Sequence, residues 1–207
     1  MFTSARKLAC SLIVPFLLAV FVGQTFAAEK REWVTLTNCH YLDAADNDGD
    51  SFRVRCGEKE FVVRLYYVDA PETNLRQGER THEQSLHFGI TLDETMKVGV
   101  KAKDRVKELL QKPFVIRTRW ATAGGRGREP RYYVIIEIDE KSLGEILISE
   151  GLARTKGMAP NLPSGEKAKA YMQRLEDLEA QAREKKLGAW AMSTAPKAES
   201  DTKIEPK

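Results

Sequence analysis

The sequence has 207 residues, 33 Lys and Arg against 30 Asp and Glu, a formal charge of +3, and 42% hydrophobic residues. Arg6 and Lys7 carry two of the three excess positive charges, so the rest of the chain is nearly neutral. That excludes a polybasic nucleic-acid coat, and any polyanionic partner must be held by a local site.

Residues 1–27 combine a short basic start, an apolar run over 8–22 and small residues at Thr25 and Ala27. This is the pattern of a cleaved secretory signal, with a retained anchor as the alternative. Export to the periplasm or medium is therefore expected. Residues 193–207 are polar with a single Ile and read as a disordered tail, since they cannot bury enough apolar surface to offset chain entropy. One domain remains, residues 30–192, of ordinary size. Cys10 leaves with the signal, and Cys39 with Cys56 flanks an acidic turn. They read either as a staple across a hairpin or as two buried thiols.

Val34–Leu42 has strand character, and Ser51–Cys56 alternates Phe52, Val54 and Cys56 with Ser51, Arg53 and Arg55. An acidic, turn-rich loop joins them, with Asp43, Asp46, Asp48 and Asp50 around Gly49. A third strand is expected over 61–68, ended by Pro71, which lacks an amide proton and forces Ala70 into extended backbone. Segment 73–96 reads as polar and irregular, with a short helix over 81–88. From Val98 the positions Ala102, Val106, Leu109 and Leu110 recur at helical spacing. A fourth strand covers 114–120, a Gly- and Arg-rich loop follows, and a fifth strand covers 132–138. Ser142 and Glu145 have capping-box spacing for a short helix that Gly151 closes. A last helix carries the stripe Ala168, Met172, Leu175, Leu178 and Ala182. The expected fold class is α+β: a small five-stranded Greek-key barrel of the OB type with about three packed helices.

Phosphodiester cleavage needs charge stabilisation on the non-bridging oxygens and an aimed, deprotonated water, and a metal usually helps with both. Arg64, Asp69 and Glu72 lie within nine residues, and Asp50 adds a carboxylate at the mouth of the preceding hairpin. Oxygen ligands of this kind suit a hard cation such as calcium. Strict strand alternation would put Arg64 and Asp69 on opposite faces, so the chain must bend or bulge before Pro71 for them to meet.

Four stretches carry a resemblance: Asp48-Gly49-Asp50-Ser51; Arg64 through Glu72; Gly151-Leu152-Ala153; and Glu179-Ala180-Gln181-Ala182 with Lys186-Leu187-Gly188-Ala189-Trp190. In order and spacing the chain resembles the thermonuclease, or staphylococcal nuclease-like, family over roughly residues 34–190. The resemblance implies calcium held by Asp50, Asp69 and the carbonyl of Ala70, with Glu72 as general base. It implies Arg64 and a second arginine on the phosphate. Counting back from Gly151 places the second at Arg131, with Arg126 and Arg128 close enough to compete. It also implies a monomer that cleaves single- or double-stranded DNA and RNA to 3′-phosphate products, with no stable membrane partner once the signal is gone. Two departures stand out. Glu129-Pro130-Arg131 replaces the usual Tyr-Gly-Arg, and residues 154–160 lack the stacking tyrosines of better-known members. Tyr132, Tyr133 and segment 73–96 are the candidate substitutes.

Other readings carry less. Counting from Asp46 or Asp43 puts neither a glycine at the sixth place nor a glutamate at the twelfth, so the acidic loop is not an EF-hand. Asp46 and Asp48 then read as a solvated turn, with Asp48 able to tune a metal from behind its ligands. His40, His82 and His87 lack zinc-ligand spacing. The competing functions are a non-catalytic nucleic-acid or protein binding module on the same fold and a calcium-dependent surface binding protein.

Overall fold

The computed structural model describes residues 31–124 and 129–194. The expected signal over 1–27 lies outside them, as do Arg126, Arg128 and all of the expected tail beyond Thr194.

Strands β1 (Val34–Leu42), β2 (Ser51–Cys56) and β3 (Lys59–Leu65) form an antiparallel meander. Alternation sets its faces: Phe52 and Val54 of β2, and Phe61, Val63 and Leu65 of β3, point into the core. After a sharp bend come β4 (Val68–Asp69), α1 (Gly78–Phe88) and α2 (Leu92–Leu109). The chain continues through β5 (Phe114–Ala123), β6 (Arg131–Ile138), β7 (Lys141–Ser142), α3 (Leu143–Ser149), β8 (Arg154–Thr155) and α4 (Ala168–Glu184). The main sheet runs β3-β2-β1-β5-β6-β7, and it curls far enough that β3 also pairs with β6, in parallel. β4 and β8 form a separate antiparallel pair. Val98, Ala102 and Val106 of α2 and Leu147 and Leu175 of α3 and α4 are fully buried in the same core cluster as the sheet's inward residues.

Cys39 and Cys56 face each other directly across β1 and β2 and form a disulfide, which resolves the two readings of that pair. Ser142 and Glu145 form the expected capping box. Three expectations need correction. Besides the five expected strands the described residues hold three more of two residues each: β4, where the segment 61–68 breaks at Tyr66–Tyr67, and β7 and β8. They hold four α-helices rather than about three. The stretch read as irregular around a short helix also contains the start of α2, whose capping box at Thr91 and Glu94 is the signal that was available. Helix α1 matches the short helix expected over 81–88 but starts three residues earlier, at Gly78, and its buried face is mostly polar (Thr81, Gln84, Ser85, then Phe88).

Candidate active site

The acidic loop is solvated at Asp43 and Asp46 but bonded into a turn around Asp48. Asp48 Oδ1 accepts from the amides of Asp50 (3.1 Å) and Ser51 (2.7 Å), and Asn47 Oδ1 accepts from Arg53 N (2.9 Å). Asp46 is exposed as expected, but Asp48 shapes the turn that presents Asp50. Asp50 itself is 1% exposed, and its Oδ2 accepts from Ala70 N at 2.8 Å. That bond ties the start of β2 to the segment after β4.

The required bend is present. Tyr67 adopts a left-handed φ of 67°, which costs a side-chain-bearing residue free energy unless its surroundings enforce it. Here they do. Tyr67 N donates to Met158 O (3.1 Å), its carbonyl accepts from Lys156 N (2.9 Å), and its hydroxyl donates to Pro160 O. The reversal turns Asp69 toward Arg64, whose Nη2 lies 3.2 Å from Asp69 Oδ1 and whose Nη1 lies 2.7 Å from Asp50 Oδ1. Glu72 follows on a turn that rests on α2. A Cβ on Gly99 would come within 2.5 Å of both the Pro71 and Glu72 carbonyl oxygens. Gln84 of α1 fastens the same turn: its Oε1 accepts from Glu72 N (3.0 Å), and its Nε2 donates to Ala70 O (2.9 Å) and Asp69 Oδ2 (3.2 Å).

Asp50, Arg64, Asp69, Ala70 and Glu72 thus come together in one buried cluster. Arg131, the first residue of β6, stands at its edge. Its Nη1 is 3.4 Å from Ser51 Oγ, and Ser51 pairs across the strands with Arg64. Arg131 makes no ion pair with the carboxylates among the described residues. Three further residues belong to the cluster and were not foreseen. Arg80 contacts Asp69, lies 3.0 Å from Glu72 Oε1 and lies 3.6 Å from Asp50 Oδ2. Arg154, only 5% exposed, donates from Nε to Asp69 Oδ2 at 2.7 Å, and Gln84 is fully buried. Arg80 and Gln84 are four apart on α1 and share a helical face, but a polar face gives no period in the sequence. Tyr132 and Tyr133 are already engaged. Tyr133 stacks on Tyr66 with centroids 4.9 Å apart, and Tyr132 meets Trp120 edge-on at 5.1 Å.

The electrostatics follow from burial against pairing. Burial lifts the Asp50 carboxyl well above its usual range, despite Arg64 beside it, and burial also raises Asp48 and Glu72. For Asp69 burial pushes upward too, but the guanidinium groups of Arg80, Arg154 and Arg64 outweigh it and hold the carboxyl below its ordinary value. Arg80 is destabilised as a cation by burial, yet its three acidic neighbours hold its proton more firmly than usual.

Carboxylates and a backbone carbonyl are the donor types that a hard divalent cation takes, so the residue chemistry fits such an ion, although the Ala70 carbonyl here accepts from Gln84. The arrangement is less open. Asp50 and Asp69 have each carboxylate oxygen engaged by an arginine, an amide or Gln84, and Arg80 stands among the acids. Among the described residues no three acidic, His or Cys side chains are grouped as a cage for a metal.

A family profile described as staphylococcal nuclease homologue matches residues 62–192. That span starts inside β3 and runs to the end of the last short helical turn, Gly188–Ala191. The family's fold is the OB type, in line with the curled sheet. No curated protein matches the chain.

Proposed function

Because the chain belongs to the staphylococcal nuclease homologue family, we propose that it is a metal-dependent phosphodiesterase that cleaves DNA and RNA internally. One observation carries the reading: Asp50, Arg64, Asp69 and Glu72 converge in one cluster although strand alternation opposes it and a strained Tyr67 is needed to achieve it. The chemistry divides among these residues. Arg64 holds the scissile phosphate through charge-assisted hydrogen bonds that strengthen as negative charge grows on its oxygens. Arg131 serves the same phosphate from the edge of the cluster, beside Ser51. Glu72, whose basicity burial increases, takes the proton of the attacking water. The new P–O bond forms in line with the departing 5′ oxygen, leaving a 3′-phosphate and a free 5′-hydroxyl. Asp50, Asp69 and the Ala70 carbonyl would hold the divalent ion, calcium in this family, which would supply further neutralisation of the phosphate.

The ring of β1, β2, β3, β5 and β6 supports the five-stranded Greek-key form of this fold. The Cys39–Cys56 disulfide supports export to an oxidising compartment, secreted or periplasmic. No described helix is long and apolar enough to cross a membrane. A monomeric enzyme is proposed.

A second reading, a non-catalytic nucleic-acid binding module, draws support from the pairing of the acids with arginines. One experiment separates them: incubate the protein with single-stranded DNA, adding either calcium or a chelator. Cleavage that requires calcium is expected. Binding without cleavage under both conditions would replace the enzyme with the module.

A further inference from the structure

The guanidinium of Arg80 touches all three acids of the cluster, with Asp69 nearest, Glu72 at 3.0 Å and Asp50 at 3.6 Å. Among the described residues no other side chain does. Arg64 reaches Asp50 and Asp69, while Arg154 reaches Asp69 and Glu83. The three arginines also differ in enclosure: the Arg154 side chain is 5% exposed, Arg64 11% and Arg80 26%. Arg154 is anchored on β8 behind Asp69, and Arg64 within the sheet. Arg80 sits in the first turn of α1, after exposed residues 74–79, and the cap position Gln77 makes no side-chain bond to the helix. Gln84, one turn further on, carries the contacts that fix α1 to Ala70 and Glu72. Arg80 can therefore leave the acids without loosening the helix.

A guanidinium and a hard metal ion need the same carboxylate oxygens, and both cannot use them at once. We propose that Arg80 is an internal cation that occupies the carboxylate cluster, and that a divalent metal binds there only by displacing it. This rests on the metal-dependent reading above. Some of the metal's binding free energy is then consumed in expelling Arg80, so its apparent affinity is lowered by the fraction of molecules in which Arg80 has left the acids.

The test is a calorimetric titration of the full chain with calcium chloride, without nucleic acid, for the natural protein, Arg80→Gln and Arg80→Ala. Both variants are expected to bind calcium at least about tenfold more tightly. Equal or weaker binding, or no binding by any of the three, overturns the proposal. A second measurement needs no variant: phenylglyoxal modification of the natural protein, mapped by peptide mass. Calcium should raise the labelling of Arg80 severalfold while Arg154 stays protected, and unchanged labelling of Arg80 also overturns it. The two readings fail separately. Calcium-dependent cleavage with unaltered affinity in the variants removes only the role of Arg80. Tighter calcium binding in the variants, with no cleavage by the natural protein, removes only the nuclease.

Discussion

Asp69 concentrates the electrostatics of the cluster. Arg64 and Arg80 share its Oδ1, while Arg154 and Gln84 share its Oδ2. So many donors on a buried carboxylate are expensive to assemble and gain little net stability, so they point to a working site more than to a structural one. Two substitutions test the division of labour. Glu72→Gln should reduce turnover by at least about a hundredfold with little change in nucleic-acid binding, because only proton transfer is lost. Single-turnover rates set beside a binding titration check this. Arg64→Ala should cost at least ~2 kcal/mol of transition-state stabilisation, read as the fall in kcat/KM. A natural rate in either variant would remove that residue from the mechanism. At this scale the sequence was informative where polar residues clustered along the chain: Asp50, Arg64, Asp69 and Glu72 could be named from spacing and resemblance. Arg80, Gln84 and Arg154 could not. Arg154 reaches the site from an element distant in sequence, Arg80 and Gln84 reach it from the helix that follows Glu72, and none interrupts a recognisable pattern.

Elements lock the site by docking backbone on backbone. Gly151 and Gly188 approach so closely that a Cβ on either would lie 2.3 Å from a carbonyl oxygen of the opposite segment, and Ala189 N donates to Gly151 O at 2.9 Å. The Gly-Leu-Ala and Lys-Leu-Gly-Ala-Trp stretches are thus two halves of one contact. Glu179 of α4 also ties separate elements together. Its Oε2 accepts from Thr155 N at 2.8 Å, which steadies β8 beside Asp69, while Oε1 meets His87 Nε2 at 2.6 Å. Burial alone would lift the Glu179 carboxyl, but these two partners hold it below its ordinary value of 4.5. A carboxyl depressed in the folded state stabilises fully above 4.5 and loses that contribution as pH falls through its folded value. Glu179→Gln should therefore cost about 1–2 kcal/mol near neutrality, and the gap should narrow once the pH drops below 4.5. Urea unfolding of both proteins across acid pH measures it. Gly99→Ala should push the Pro71–Glu72 carbonyls off α2, costing about 1–3 kcal/mol of stability and lowering turnover as well. A fully active, equally stable Gly99→Ala protein would show that the turn tolerates the shift.

For the whole molecule, the curled sheet brings β3 beside β6, which is how Arg131 comes to lie near Arg64 across more than sixty residues of chain. The disulfide between Cys39 and Cys56, 17 residues apart, closes the hairpin that carries Asp50. In the chain-entropy account a loop of this size contributes about 3 kcal/mol, so reduction should lower the unfolding free energy by about that amount. Denaturant titration with and without reductant reads the difference directly. Local chemistry in the sequence was enough to determine the alternating strands, the apolar stripes of α2 and α4 and the cap at Ser142, since each depends on neighbours along the chain, and resemblance named Asp50, Arg64, Asp69 and Glu72. The left-handed Tyr67 and the seating of Arg80 among three acids were decided only by tertiary structure. Their free energies come from partners such as Pro160 and Asp69, which no local pattern connects to them.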